Sequence, residues 1–193
     1  MRHDKDAVEQ AAREGSRRTG EALSQLLGEQ VDARNLEIHY VEQANAAILL
    51  SLDVRHDQAA LGRMEISGEI SGRAFVAISE RSMTELLRVF NTEYEAGAAL
   101  DELGLSMLRE VANITASSYL NALADAWGIM AVPSVVDLEI GALGLSGELE
   151  EAARRQGPAF VVRCDLETPS GRFDVSLVLL VDPASVIPSV TNS

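Results

Sequence analysis

The stretch that decides the fold runs from Glu102 to Gly128 and reads ELGLSMLREVANITASSYLNALADAWG. Its apolar residues recur at intervals of three and four, which is the pattern of an amphipathic α-helix. A glycine closes the stretch at the position where helices commonly end. The pattern therefore predicts a helix from about Glu102 to Trp127, with Gly128 as its C-terminal cap.

A rotation of about 100° per residue divides this helix into two different faces. The predicted core face is formed by Leu108, Val111, Ala112, Thr115, Tyr119, Ala122 and Ala126. The opposite face is formed by Ser106, Glu110, Asn113, Ser117, Asn121 and Ala124. Glu110 is the only charge on that second face, whereas a solvated helix surface usually carries several charged residues. Another macromolecule could approach such a face closely, and ordinary solvated surface is the simpler alternative.

Part of this helix has an echo 100 residues earlier in the chain. The octet NALADAWG at 121–128 aligns with EALSQLLG at 21–28. Ser-Gly-Arg precedes an apolar strand at both 71–73 and 170–172. Because the two echoes fall in the same order and at nearly the same offset, the sequence predicts one domain over residues 1–193, made of two repeats of about 5–90 and 100–190.

The remaining pattern predicts an α+β fold. Helices are predicted at about 6–27, 82–90 and 102–127, with a short helical piece at 183–190. Strands are predicted at about 36–40, 46–54, 62–70, 73–78, 132–140, 159–166 and 173–181, and a solvated loop at 141–157. Strands that return through tight turns imply an antiparallel sheet, with the helices segregated to one face.

The composition is that of an ordinary globular protein, with 47% hydrophobic and 24% charged residues. No apolar run is long enough to cross a bilayer, and the polar first residues do not resemble a signal peptide. The single cysteine, Cys164, excludes an internal disulfide framework and is expected to be a buried strand residue rather than a nucleophile. These features predict a protein of a reducing cytoplasm.

The charge limits the partners of the chain. A net charge of −14 disfavours binding to nucleic acid and to an anionic membrane. Of the basic residues, 15 are arginine and one, Lys5, is lysine. An acidic excess with little lysine indicates a salt-rich cytoplasm, and a GC-rich genome, which favours arginine codons, is the alternative explanation.

The sequence offers no sign of a cofactor or metal ion of the protein's own. Its three histidines, His3, His39 and His56, are scattered, and none stands at metal-ligand spacing. It contains no glycine-rich phosphate loop, nucleophile elbow or dinucleotide fingerprint. Chemistry would therefore have to come from simpler groups.

Glu110 and Asn113 are the candidate functional residues. They lie three residues apart, so both project from one face of the helix. A carboxylate offers a counter-charge to a cation on a partner, and a carboxamide can hold a water molecule in a chosen orientation. With no nucleophile or metal beside them, they would act by positioning water on a substrate that brings its own electrophile and metal ion.

These residues resemble a known signature. Ser106, Glu110 and Asn113, followed by Asn121-Ala122-Leu123 and Pro133, look like the motif of the CheC/CheX/FliY family of chemotaxis phosphatases. The stretch from Leu105 to Gly141 is similar to the second half of a CheC protein, and the repeat extends the likeness over nearly the full chain. The resemblance implies a pseudo-two-fold fold in which the two long repeat helices pack on one face of an antiparallel β-sheet.

The same resemblance implies an activity. The protein would hydrolyse the aspartyl phosphate of a CheY-type response regulator, with Asn113 orienting the attacking water. Glu110 would pair with the active-site lysine of the receiver, and Ser106 would support the local helix surface. The Mg²⁺ ion would belong to the receiver, which already stabilises the leaving group, so that positioning one water is most of what remains.

CheC proteins often carry one such site in each half, and here the first site is predicted to be inactive. The offset of 100 puts Asp6, Gln10 and Arg13 at the positions of Ser106, Glu110 and Asn113. Gln10 lacks the charge, and Arg13 cannot accept a hydrogen bond from water. Arg13 is expected to lie on the solvated surface or to have a structural or partner-binding role.

Two functions remain open at this point. One is an enzyme that acts on a phosphorylated CheY-type receiver, and the other is a non-catalytic CheC-fold adaptor that binds CheD or a flagellar switch protein. FliM-like middle domains resemble CheC but lack the Glu/Asn pair, so the intact pair favours the enzyme. The two roles are compatible, because CheC-like proteins also bind the receptor deamidase CheD.

Overall fold

The computed structural model describes residues 5–41, 58–90, 99–141, 158–182 and 185, with side-chain surroundings from residue 8 in the first range and from residue 60 in the second. The helices in these ranges are α1 (Lys5–Leu27), α2 (Glu80–Phe90) and α3 (Glu102–Trp127). The strands are β1 (Asp32–Val41), β2 (Gln58–Gly68), β3 (Gly72–Ser79), β4 (Ala131–Pro133), β5 (Asp137–Ile140), β6 (Ala159–Glu167) and β7 (Arg172–Val181). The predicted strand at 46–54, most of the predicted loop at 141–157 and all of the helical piece at 183–190 except Ser185 lie outside the described residues.

The described strands form one antiparallel sheet in the order β1-β6-β7-β3-β2-β4, and β5 also pairs with β2. The order is symmetric: a shift of 100 residues turns each strand into the strand at the same distance from the opposite edge of the sheet. At the centre, Phe75 pairs with Val178 and Ile78 pairs with Val175, which is one pair repeated at the offset of 100. The pseudo-two-fold α+β fold is therefore confirmed. The edge strand of each half pairs with a strand of the other half.

The long helices α1 and α3 pack against each other and against the main apolar cluster of the sheet. They approach very closely at Gly15, where a Cβ atom would lie 2.4 Å from the ring of Tyr119. At the same crossing, Ser16 Oγ and the hydroxyl of Tyr119 are 2.6 Å apart and share a hydrogen bond. Arg18 adds an ion pair to Asp125 at 2.8 Å, so that the two helices are fixed in register near the symmetry axis.

The predicted strand over 132–140 is wrong as a single element, because it is broken into β4 and β5. The backbone of Ser134 donates to the carbonyl of Glu65, and its side-chain Oγ accepts from the amide of Glu65 at 3.0 Å. The hydroxyl thus replaces a backbone carbonyl in the ladder, and the chain leaves the sheet over the next two residues. Pro133, which has no N–H, precedes this break.

Two assignments of the helix faces are also wrong. Ala126, placed on the core face of α3, is exposed, and Ala124, placed on the opposite face, is 7% exposed and belongs to the core. The reason is that the chain reverses at Gly128, whose φ is 64°, and β4 then packs against the last turns of α3. The buried side of the helix therefore changes toward its C-terminal end.

Candidate functional site

The helix that carries the candidate pair is capped at both ends. The carboxylate of Asp101 accepts a hydrogen bond from the backbone N–H of Gly104 over 2.7 Å, which satisfies one free donor of the first turn. At the other end, the backbone N–H of Gly128 bonds to the last carbonyls of the helix. Glu110 and Asn113 lie between these caps, on continuous helix, so their relative position is set by the backbone.

The pair lies on an accessible surface. Ser106 and Glu110 are exposed, and Asn113 is half-buried. Ser117 Oγ donates a long hydrogen bond of 3.4 Å to Oδ1 of Asn113, and within the described ranges Glu110 has neither a hydrogen bond nor an ion pair. The carboxylate is therefore available to a cation on a partner, and the amide group of Asn113 is left to a water or a second ligand.

The turn that holds Asn113 sits on a glycine of the sheet. At Gly62 in β2, a Cβ atom would lie 2.9 Å from Cβ of Ala112 and 3.1 Å from Cγ1 of Val136. Glycine at this position lets α3 approach the sheet at the residue directly before Asn113. The corresponding position in the other half is Val162, so the two helices do not rest on equivalent surfaces.

The first-half counterpart has a different surface. Gln10 and Arg13 of α1 are exposed, and Asp6 belongs to the helix although its side chain lies outside the described surroundings. Arg17, which replaces Ser117, forms ion pairs with Glu14 and Glu21. Hydrogen bonds from Arg17 and Arg18 lower the pKa of Glu14 to about 2. This face is a ladder of surface ion pairs, whereas around Asn113 the exposed charges of Glu110 and of Arg109, one turn earlier, form no ion pair within the described residues.

A groove between α1 and β1 was missed by the sequence reasoning. It is lined in part by Arg13, Arg17, Arg34 and Asn35. Gly20 allows this close contact, because a Cβ atom there would lie 2.9 Å from the carbonyl oxygen of Val31. No periodic signal in the sequence marks such a groove, since it depends on how an edge strand meets the helix.

The burial of Cys164 and of the apolar residues between β4 and β5 can be compared with expectation. Cys164 is buried in β6 as predicted, and burial raises the pKa of its thiol. Val136 and Leu138 pack partly against the core, whereas Val135, an apolar residue that would by default be expected in the core, is 89% exposed. The break between β4 and β5 leaves Val135 outside the sheet.

Two common features of functional sites are absent from the described ranges. No group of three or more His, Cys, Asp or Glu residues in the described part of the chain is arranged to hold a metal ion. None of the described helices has an apolar stretch long enough to cross a membrane.

Comparison with known proteins places the chain among chemotaxis and flagellar switch folds. The model of the CheC-like family matches residues 103–136, which include β4 and all of α3 except its first residue. No curated protein matches the sequence. The similarity to known proteins is therefore carried by this segment and by the three-dimensional fold.

Three solved structures show the fold. Thermotoga maritima FliY has a TM-score of 0.66 at 16% identity, with 93% of this chain and 92% of that chain covered. The FliM middle domain of Vibrio alginolyticus has a TM-score of 0.58 at 13% identity, covering 89% and 92%. The chemotaxis protein CheX of a Desulfovibrio desulfuricans subspecies has a TM-score of 0.51 at 13% identity, covering 88% and 98%. At these identities the likeness shows the fold alone. The function has to be inferred from the residues of the site.

Proposed function

Because the chain is a CheC-like protein in its fold and in the sequence of α3, we propose that it is a phosphatase for the aspartyl phosphate of a CheY-type response regulator. The observation that supports this function is the pair of Glu110 and Asn113 on one accessible face of a helix capped at both ends. The amide of Asn113 orients a water in line with the phosphorus, and the carboxylate of Glu110 pairs with the lysine of the receiver.

The hydrolysis needs few chemical groups from this protein. Water attacks phosphorus, the bond between phosphorus and the aspartyl oxygen breaks, inorganic phosphate is released, and the aspartate carboxylate stays on the receiver. The Mg²⁺ on the receiver stabilises the developing charge, so the contribution of this chain is to place the water and the lysine. One site, in the second half, carries the activity, because Gln10 and Arg13 cannot reproduce the pair.

A second candidate function is a non-catalytic adaptor that binds CheD or a flagellar switch partner. The observation that favours it is the likeness to the FliM middle domain, which covers 89% of this chain. Both functions use an accessible helix face, and they differ in whether the side chains on that face change the rate of a reaction.

The deciding experiment measures the rate of phosphate loss from a phosphorylated CheY-type receiver with and without this protein. The phosphatase predicts acceleration by the wild type and by Arg13→Ala, and loss of the acceleration in Asn113→Ala and Glu110→Ala. No acceleration by the wild type, with CheD and high salt both supplied, would leave the adaptor as the function.

A further inference from the structure

The groove between α1 and β1 is a positively lined cavity in an acidic protein. Its volume is about 670 Å³, which lies within the range of about 300–1,000 Å³ of pockets that hold small organic molecules. Three arginines and two acidic residues line it: Arg13, Arg17, Arg34, Glu21 and Asp32. The lining is therefore net positive, although the chain carries a net charge of −14. A concave surface of this sign concentrates anions.

The fold does not require these three arginines. A shift of 100 residues takes each of them to a neutral polar residue of the second half, namely Asn113, Ser117 and Ser134. The second half forms a helix and an edge strand at the same places without the charges. A role in the scaffold would be shared by both halves, so the arginines of the first half need a different explanation.

Two of the three guanidinium groups have unused hydrogen-bond donors. Among the described residues, Arg13 forms neither a hydrogen bond nor an ion pair. Arg34 forms only long ion pairs, 3.5 Å to Asp32 and 3.9 Å to Glu167, which exceed the length of a good hydrogen bond. Arg17, in contrast, is bound to carboxylates on both sides of it along α1. Arg13 and Arg34 are therefore the groups that a ligand in the groove can engage.

A bulge in β1 fixes the backbone beside Arg34. The pairing of β1 with β6 shifts between Arg34 and Glu37, where β1 holds one residue more than β6. Asn35 has a φ of 45° in this bulge, and its Nδ2 donates a hydrogen bond of 2.8 Å to Asp165. A bulge bends a strand and changes the direction of the side chains in it. The bend thus sets where Arg34 enters the lining of the groove, and a ligand has to order only its side chain.

The charges and the size of the groove define the chemistry of a ligand. A phosphomonoester carries a charge of about −1.5 to −2 at pH 7 and offers three acceptor oxygens, which matches two guanidinium groups. A single carboxylate has less charge and fewer oxygens to share between them. Val31 and Leu36 add apolar surface to the lining, and a phosphate ion alone would fill only a small part of the volume. The ligand therefore has an organic part as well as the phosphate.

We propose that the groove between α1 and β1 binds a small organic phosphate, whose phosphomonoester group is held by Arg13 and Arg34. Its organic part lies against the apolar lining at Val31 and Leu36. Within the described part of the chain, no residue of α3 lines the groove, so this site is separate from the candidate pair on that helix. The inference does not depend on the proposed function, and it gives the first half of the chain a role that differs from that of the second half.

The test is titration calorimetry with three phosphomonoesters as probes: adenosine monophosphate, ribose 5-phosphate and phenyl phosphate. We expect at least one of them to bind, and its counterpart without phosphate (adenosine, ribose or phenol) to bind at least about 10-fold more weakly. The NMR signals of the backbone amides of Arg34, Asn35 and Leu36 should shift with the same affinity, which places the probe in the groove. No binding of any of the three phosphates at about 10 mM would overturn the inference.

Matched variants locate the phosphate. Arg13→Ala and Arg34→Ala should each weaken binding of the same probe about 10-fold or more, because each removes charge-assisted hydrogen bonds. Arg13→Lys, which keeps the charge but loses the planar fork, should bind with intermediate affinity. The control is Arg88→Ala, which removes an arginine of α2 whose side chain is 47% exposed and does not line the groove. Circular dichroism should show all four variants folded.

Three further results would each overturn the inference. Equal weakening by Arg88→Ala would show a general effect of net charge rather than a site. Unchanged affinity in both Arg13→Ala and Arg34→Ala would place the phosphate elsewhere on the protein. Inorganic phosphate that binds as tightly as the organic probe would reduce the groove to a site for a free anion, with no role for the apolar lining.

Discussion

Asn113 is half-buried in the middle of α3, and its side chain is held by the 3.4 Å hydrogen bond from Ser117. We expect Asn113→Ala to reduce the acceleration of phosphate loss by about 100-fold or more, because the water then has no group to orient it. The matched control is Asn121→Ala, which removes the same side chain from an exposed position farther along α3. Equal losses in the two variants would contradict a specific role for Asn113.

Cys164 gives a second prediction at the scale of a residue. The thiol is buried in β6 and donates to the carbonyl of Arg34 at 3.6 Å, and burial raises its pKa. We expect no reaction with a thiol reagent at neutral pH in the native protein, and one equivalent of reaction in denaturant. Labelling of the native protein within seconds would show that β6 opens or that the thiolate is stabilised.

Single positions differ in how well the sequence could place them. Glu110 and Asn113 could be placed on the accessible face, because helical periodicity alone fixes the direction of side chains in the middle of a long helix. Ala124 could not be placed, since its burial depends on where the chain goes after Gly128. The exposure of Val135 depends likewise on one serine hydroxyl that ends β4.

At the scale of elements, the position of α3 depends on the small size of Gly62, the residue of the sheet against which the helix packs. Gly62→Ala would put a methyl group 2.9 Å from Cβ of Ala112 and 3.1 Å from Val136, which is closer than these atoms can remain. We expect the free energy of unfolding to fall by about 1–3 kcal/mol, as is usual for overpacking. The displaced helix should also reduce the acceleration of phosphate loss at saturating receiver by roughly threefold or more.

The control for this substitution is Gly171→Ala, in the turn between β6 and β7. A Cβ atom there would meet Oε2 of Glu85 at 3.2 Å, and that oxygen is the end of a flexible side chain that can move aside. Urea unfolding and the phosphatase assay measure both variants. Normal activity in Gly62→Ala would mean that the position of the pair tolerates a shift of α3.

The elements also show which signals the sequence contains. All three described helices were predictable from apolar periodicity, and glycines marked the ends of α1 and α3, the latter matched from Glu102 to Trp127. The turns before β3 and β7 were predictable from Ser-Gly-Arg. The close contacts at Gly15 and Gly62 were not, because a glycine in a helix or strand carries no local sign of which neighbour it admits.

At the scale of the molecule, the symmetry explains how two weak sequence echoes correspond to one sheet. Glu37 pairs with Arg163, and Arg63 pairs with Asp137, so an acid opposes an arginine at positions exchanged by the offset of 100. Each of these pairs joins one half to the other. The edge strands are therefore swapped, and neither half could complete its sheet alone. The repeat was visible in the sequence, but this exchange of edges was not, because strand order depends on long-range pairing.

The same symmetric scaffold carries a net charge of −14, and its response to salt separates two explanations of the composition. Raising NaCl from 0.1 to 1 M shortens the Debye length from about 10 to about 3 Å and so screens the repulsion among carboxylates. Surface ion pairs such as Arg17–Glu21 are weakened too, but each contributes little. If repulsion dominates, as in a protein of a salt-rich cytoplasm, the midpoint of thermal unfolding rises with salt.

The control is the same titration near pH 4.6, the isoelectric point of the sequence, where the net charge and its repulsion vanish. We expect the rise at pH 7 to be several degrees and the rise at pH 4.6 to be much smaller. Equal rises at both pH values would instead point to general salting-out of apolar surface. A midpoint that falls with salt at pH 7 would mean that the ion pairs outweigh the repulsion, and the excess of arginine would then be better explained by codon usage than by a salt-rich cytoplasm.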